Sequence, residues 1–175
     1  MPLVTSDDVD ADTAELLTAL GDLNIFRALA HHPKLLKRWL VFGAHVLNKS
    51  TLSPRHRELV ILRVGWRCQS EYEFGQHTVI GRGVGISDDE IRLITQPDTS
   101  ADTHWDAADR LVLSATDELL ADYEISQPTW DEAAQILSTE QLMDLVFAVG
   151  QYSITCMALK TLHVPLDEGV PGFPE

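Results

Sequence analysis

The densest group of residues able to do chemistry lies in the segment CQSEYEFGQH, at positions 68–77. On a helix, Glu73 and His77 lie one turn apart, and their face carries three further side chains, Ser70, Ile80 and Val84. The apolar members predict that this face points inward, so the carboxylate and the imidazole are expected to be partly buried neighbours. Such a pair suits acid–base catalysis near neutral pH. A structural hydrogen bond is the alternative, and the pattern alone favours it.

Glu58 is a second unusual residue, because it immediately precedes the apolar run LVILRVGW. Its helical neighbours Ile61 and Leu62 predict a position close to the core. A carboxylate there needs a partner. The candidate partners are Arg55, Arg63 and His77. An ion pair at the edge of the core, without a chemical role, is the alternative.

The chain has two cysteines, far apart in sequence, so they are not expected to form a disulfide framework. Cys68 is predicted to be an incidental thiol, with a lone oxidisable thiol as the alternative. Cys156 falls in an apolar stripe and is predicted to be buried and inert. No Cys/His cluster has the spacing of a zinc site, and we expect neither a metal nor an organic cofactor. Trp66 and Tyr72 flank the candidate site and are either core anchors or pocket-lining residues.

Length and charge restrict the class of protein. The chain has 175 residues, which fits one domain, and carries 13 basic against 27 acidic residues, for a net charge of −14. This balance opposes binding to nucleic acid or to an anionic membrane surface, both of which need clustered Lys and Arg. The N-terminal segment has no secretory pattern, and no apolar run approaches the length of a bilayer span. We predict a cytoplasmic protein.

Helices must position these residues, and sequence signals for helices occur along nearly the whole chain. Ser-Pro at 53–54 and Ser at 87 and 138 open helices, while LVILRVGW is predicted to lie in a central helix. The last long helix carries an apolar stripe with the spacing of a core or a subunit contact, at Leu142, Leu145, Val149, Tyr152, Cys156 and Leu159. We predict a single all-α domain over 1–175, with a loose arm at about 1–12 and an extended tail at about 164–175.

The block RHRELVILRVGWRCQSEYEFGQHTVIGRGVGISDDEIRLI closely resembles the carboxymuconolactone decarboxylase family, which also contains the alkyl hydroperoxidase D-like proteins. The similarity extends roughly from Asn24 to Leu166. It implies an alkyl hydroperoxidase D-like helical bundle that assembles as a homo-oligomer, often a trimer or hexamer, with active sites near subunit contacts.

The resemblance carries over to the functional residues only in part. The peroxidase branch of the family uses Cys-x-x-Cys-x-x-x-His with a Glu nineteen residues before the His. Here Glu58 and His77 match that pattern, but Ser70 and Glu73 replace the two cysteines. The decarboxylase branch lacks the cysteine pair and uses acid–base chemistry, for which Glu58, Glu73 and His77 are suited.

Three functions therefore stay open. The first is a cofactor-free lyase or isomerase acting on a small organic acid or lactone. An anionic substrate of this kind would need cationic groups, for which Arg55, Arg63, Arg67 and Arg82 are near in sequence. The second is a peroxidase or antioxidant protein that uses Cys68. The third is a non-catalytic oligomer that binds a small molecule.

Overall fold

The computed structural model describes residues 1–174, and all regular secondary structure within that range is helical, which confirms the all-α prediction. Two short 3₁₀ helices lie at Ser6–Asp8 and Thr99–Ala101. The α-helices are α1 (Ala11–Ala19), α2 (Asn24–Leu29), α3 (Pro33–Asn48), α4 (Pro54–Arg67), α5 (Glu71–Gly83), α6 (Asp88–Ile94), α7 (Ala107–Asp122), α8 (Gln127–Ala133) and α9 (Thr139–Thr161).

Helix α4 is the centre of the bundle and packs against α5, α7 and α9. Its start follows from local chemistry, because the Ser53 side chain accepts a hydrogen bond from the His56 N–H and Pro54 occupies the first turn. From Glu58 to Gly65 every residue is buried. Neighbouring helices cover this stretch on all sides, which explains why its sequence is apolar without periodic interruption.

Arg63 is the one cation in that buried stretch, and its side chain is fully enclosed. Its guanidinium donates to both carboxylate oxygens of Asp117, each at 2.8 Å. It also donates to the backbone carbonyls of Ile94, Gln96 and Pro97. The side chain therefore ties the segment between α6 and α7 to the central helix.

Helix α9 is long and apolar enough to cross a bilayer by length and composition, which the sequence analysis did not anticipate. Half of its most apolar window is buried inside the bundle, as is usual for the core helix of a water-soluble fold. The predicted core stripe is buried as expected, at Leu142, Leu145, Val149, Tyr152, Cys156 and Leu159. Its opposite side exposes apolar residues, among them Met143, Phe147, Ile154 and Met157.

Both terminal segments contact the bundle, whereas a loose N-terminal arm was expected. Val4 is buried in a small cluster with Leu17 and Leu36, because this apolar residue of an acidic segment finds a hydrophobic surface to cover. The C-terminal segment is extended but anchored, since Phe173 packs edge-on against Trp66 at 5.1 Å between ring centroids. Asp167 in the same segment accepts a hydrogen bond from the backbone N–H of Asn24 at 2.9 Å.

Candidate active site

A cavity of about 240 Å³ lies between α2, α3, α5 and α9. This volume corresponds to roughly eight water molecules, so it accommodates only a small organic molecule. Its walls are mainly apolar and include Leu23, Ile25, Phe26, Trp39, Leu40 and Leu47. A few polar side chains interrupt this lining, namely Asn48, Glu73, Gln76, His77, Gln151 and Thr155, together with the phenol of Tyr152. An apolar enclosure with a few convergent polar groups is typical of a small-molecule site.

His77 lies between the two carboxylates that the sequence singled out. Its Nδ1 is 2.6 Å from Glu58 Oε2, and its Nε2 is 3.2 Å from Glu73 Oε1. Glu58 is supplied by α4, and α5 supplies both Glu73 and His77, one helical turn apart. All three side chains are buried. The structure therefore brings Glu58, Glu73 and His77 together in one group, with Glu73 and His77 at the cavity surface.

Both carboxylates favour the protonated imidazole. Burial alone would lower the pKa of His77, but the hydrogen bonds to Glu58 and Glu73 and the charges of these two residues outweigh it and raise that pKa to about 9. Glu58 also accepts a hydrogen bond from Arg57 Nε at 3.0 Å. With the imidazolium and Arg57 facing two carboxylates, the formal charges of this group cancel, which makes its burial acceptable.

Glu73 is the carboxylate of this group that faces the cavity and can still accept further hydrogen bonds. Among residues 1–174, no donor besides His77 lies within bonding distance of its carboxylate. Glu58, by contrast, is engaged by His77 and by Arg57. The arrangement therefore leaves Glu73 as the carboxylate that can exchange a proton with a molecule in the cavity, with His77 and Glu58 behind it.

Helix α9 adds three polar side chains that the sequence analysis did not assign to the site, Gln151, Tyr152 and Thr155. The Tyr152 ring meets the His77 ring edge-on, with centroids 5.0 Å apart. Burial, followed by the charges of Glu73 and Glu58, raises the pKa of Tyr152, so its phenol keeps its proton. In the part of the chain that the structure describes, neither the Tyr152 hydroxyl nor the Gln151 side-chain amide has a hydrogen-bond partner. A buried glutamine in an apolar helix was the signal that could have identified them.

The remaining predicted site residues divide between the cavity and its surroundings. Tyr72 lines the cavity, and its hydroxyl donates to Asp167 and accepts from the Ile25 N–H. Trp66 lies away from it and packs against Phe74 and Phe173. Ser70 precedes α5, but its side chain does not cap the helix. The Ser70 hydroxyl is buried without a hydrogen-bond partner in the described residues. Cys68 does not line the cavity.

The four arginines considered for an anionic substrate also lie elsewhere. Arg55 pairs with Glu90 and Asp109, Arg63 with Asp117, and Arg82 with Asp88, while Arg67 lies 3.6 Å from Asp117. Of the residues described, no Lys or Arg lines the cavity. Nor does any group of three or more His, Cys, Asp or Glu in residues 1–174 have the arrangement of a metal site. The cavity therefore offers a neutral ligand a better fit than an anion.

The family model described as "Carboxymuconolactone decarboxylase family" matches residues 33–117, which include the whole of the Glu58, Glu73 and His77 group. Over this region the chain is similar to that family. The resemblance that the motif block carries is thereby confirmed. No curated protein matches the chain significantly.

Several solved structures have the same fold. An alkylhydroperoxidase AhpD core, an uncharacterized peroxidase-related protein from Ralstonia eutropha JMP134, superposes with a TM-score of 0.84 at 15% identity, covering 96% of this chain and 92% of its own. A peroxidase-related protein from Silicibacter sp. TM1040 gives 0.84 at 16% identity, covering 99% and 95%. A putative antioxidant defence protein AhpD from Agrobacterium tumefaciens gives 0.73 at 16% identity, covering 79% and 94%. The predicted alkyl hydroperoxidase D-like bundle is confirmed.

Proposed function

We propose that this protein is an enzyme that moves a proton on a small, neutral, enolisable molecule such as a lactone or ketone, without an organic cofactor. The observation that carries the proposal is His77 held between Glu58 and Glu73 beside an apolar cavity. Proton transfer to or from carbon needs a positioned base and a dry environment, and both are supported by this geometry.

In the proposed reaction, the Glu73 carboxylate removes a proton from the carbon next to the substrate carbonyl. The electron pair of the C–H bond moves onto the carbonyl oxygen and leaves an enolate. Tyr152 and Gln151, whose donors are free, are placed to donate hydrogen bonds to that oxygen. When the substrate carries a β,γ double bond, the intermediate is a dienolate, and Glu73 returns the proton to its γ-carbon, which completes an isomerisation to the α,β-unsaturated product. His77 orients Glu73 and, with Glu58, buffers the proton.

The lack of a free cationic side chain at the cavity favours isomerisation over decarboxylation. A substrate that loses carbon dioxide must enter as a carboxylate. The one cation in the described lining, the His77 imidazolium, is already engaged by Glu58 and Glu73, and no Lys or Arg stands beside it. A buried carboxylate without a cationic partner is strongly destabilised. We therefore infer that the enzyme is an isomerase rather than a decarboxylating lyase, and that neutral substrates bind better than organic acids.

We further propose that the protein is a cytoplasmic homo-oligomer in which this cavity lies close to a subunit contact. Helices α3 and α9 both line the cavity and both expose apolar side chains, including Val41, Phe42, Phe147 and Ile154. Phe42 and Phe147 already meet edge-on across the two helices, 6.0 Å apart. An apolar surface of this kind is typical of subunit interfaces.

The test is exchange of substrate protons in deuterated water, followed by NMR over a panel of small neutral lactones and ketones. Glu73→Gln is expected to reduce exchange by about 10²- to 10⁴-fold. Glu71→Gln, which changes an exposed carboxylate on the same helix, serves as the matched control and is expected to keep the wild-type rate. Equal rates in wild type and Glu73→Gln would remove Glu73 from the mechanism. Binding without exchange across the panel would instead support a non-catalytic binding protein.

A further inference from the structure

Asp167, in the C-terminal segment, sets the orientation of a glutamine in the cavity wall. Its carboxylate accepts a hydrogen bond from the side-chain amide nitrogen of Gln76, with 2.6 Å between Asp167 Oδ2 and Gln76 Nε2. An ionised carboxylate can only accept hydrogen bonds, so the Gln76 amide must turn its N–H side, and not its carbonyl oxygen, towards Asp167. Gln76 is therefore held in one of its two amide orientations.

The side-chain carbonyl oxygen of Gln76 is left without a protein partner. Gln76 lines the cavity, and no donor in residues 1–174 is hydrogen-bonded to its Oε1. Tyr72, one turn earlier on α5, does not supply one, because its hydroxyl donates to Asp167 and accepts from the Ile25 N–H. An acceptor beside an apolar cavity is best satisfied by a donor that the ligand brings.

The polar groups around the cavity divide into acceptors on one helix and donors on another. Helix α5 presents the Glu73 carboxylate and the Gln76 carbonyl three residues apart, which corresponds to about 5–6 Å between Cβ atoms. Helix α9 presents the donors of Gln151 and Tyr152. A ligand with only a carbonyl group would satisfy the α9 donors and present a C–H bond to Glu73, but would leave the Gln76 oxygen unused.

The charges near the cavity decide which kind of donor fits. The carboxylates of Glu58 and Glu73 are balanced by the His77 imidazolium and by Arg57. Asp167 does not line the cavity, and it already accepts three hydrogen bonds. An ammonium group would therefore add an unbalanced charge to a mainly apolar enclosure, whereas a hydroxyl group donates without adding charge.

We propose that Gln76 determines substrate specificity, and that the substrate is a hydroxylated carbonyl compound. Its hydroxyl donates to Gln76 Oε1, while its carbonyl oxygen accepts from Gln151 and Tyr152. Asp167 is a positioning residue, because it reaches the substrate only through the Gln76 amide. The inference deepens the proposed function and rests on it for the enolisable carbon that Glu73 deprotonates.

The experiment compares pairs of ligands in which a methyl group replaces the hydroxyl. The panel contains hydroxylated cyclic ketones and lactones with their methyl counterparts, beginning with 4-hydroxycyclohexanone and 4-methylcyclohexanone. NMR titration gives the dissociation constants, and exchange of ligand protons in deuterated water is recorded on the same samples. Wild-type protein is expected to bind a hydroxylated member more tightly than its methyl counterpart, by on the order of 10- to 100-fold.

Two variants assign the roles. Gln76→Met removes the acceptor at similar side-chain length and should abolish the preference for the hydroxyl, leaving the affinity for the methyl compound roughly unchanged. Asp167→Asn can donate as well as accept, so it no longer fixes the Gln76 amide, and the preference should fall. A merely structural role of Asp167 would instead weaken both members of a pair equally. Gln135→Met changes an exposed glutamine outside the cavity and is the matched control.

The outcomes separate this inference from the proposed proton transfer. Methyl compounds that bind as tightly as their hydroxylated counterparts in every pair would overturn the role of Gln76, and so would a preference that persists in Gln76→Met. Both results leave the proposed function standing if exchange still depends on Glu73. A preference that depends on Gln76, without exchange of any ligand proton, would support hydroxyl recognition and contradict proton transfer.

Discussion

Gly43 on α3 faces Gln151 on α9 so closely that a methyl group at position 43 would lie 3.3 Å from the Gln151 amide nitrogen. The absence of a side chain at Gly43 therefore gives the amide its room beside the cavity that both residues line. An amide donor that stabilises an oxyanion has to be held in one place. This close approach connects a residue with no chemistry of its own to the proposed reaction.

Gly43→Ala is expected to displace the Gln151 amide and slow proton exchange roughly tenfold, while the fold stays intact because the end of a flexible side chain can move. Exchange of substrate protons and the NMR shift of the Gln151 side-chain amide provide the readouts. Gly83→Ala, where an added methyl group meets nothing within 4 Å, is the matched control. An unchanged amide shift together with an unchanged rate would contradict the assigned role of Gln151.

The raised pKa of His77 predicts a specific dependence of stability on pH. The unfolded imidazole titrates near its ordinary value of about 6.5, whereas the folded one titrates at about 9. The stabilisation by the imidazolium is therefore fully present below pH 6.5 and is lost as the pH rises to 9. This stabilisation is on the order of 3 kcal/mol. Free energies of unfolding in urea at pH 6, 7.5 and 9.5 would measure this loss.

His77→Gln is the control for that experiment, since it removes the titrating group. The difference in unfolding free energy between wild type and variant should shrink as the pH rises from 6 to 9.5. A constant difference over this range would mean that the pKa of His77 in the folded chain is not raised.

Replacing Arg63 is expected to cause the largest loss of folding stability of any single substitution in the bundle. Replacing it with Met leaves the Asp117 carboxylate and three backbone carbonyls without their donor. Breaking a buried ion pair from one side costs about 3–5 kcal/mol. Arg92→Met, which removes an exposed ion pair with Asp89, should cost less than about 1 kcal/mol. Urea denaturation of both variants distinguishes these values, and equal losses would show that burial does not set the energy of the Arg63 pair.

The exposed apolar surface of α3 and α9 predicts self-association. Phe147→Asp places a charge in the centre of that surface and should shift the protein towards the monomer in light scattering coupled to size-exclusion chromatography. Tyr123→Asp changes an aromatic residue that is 90% exposed and lies on neither helix, and should leave the oligomer unchanged. A wild-type protein that is monomeric at all concentrations would refute the proposed assembly.

Helical periodicity accounts for what the sequence could predict. Glu73 and His77 share one face at a spacing of four, and the family pattern places Glu58 nineteen residues before His77, so their meeting was foreseeable. Arg57 was not foreseeable as a partner of Glu58, because adjacent residues on a helix diverge and only a long side chain can curl back.

Contacts between distant segments explain what the sequence left open. The hydrogen bond from Lys160 to the Cys68 carbonyl depends on how α4 crosses α9, and no local pattern encodes that crossing. Gln151 and Tyr152 were obscured for a related reason. Their helix shows a strong core stripe, and only the tertiary arrangement reveals that the middle of this stripe, at Tyr152, borders a cavity.

The anchored C-terminal segment has a consequence for the order in which the protein matures during synthesis. Asp167 accepts hydrogen bonds from Tyr72 and Gln76, which line the cavity and precede it by 95 and 91 residues. While the chain is still emerging from the ribosome, these two wall residues lack their partner until Asp167 has been released. The cavity therefore reaches its final shape late, after Glu58, Glu73 and His77 have already been translated. A nascent chain stalled before Asp167 would bind ligand more weakly than the released protein.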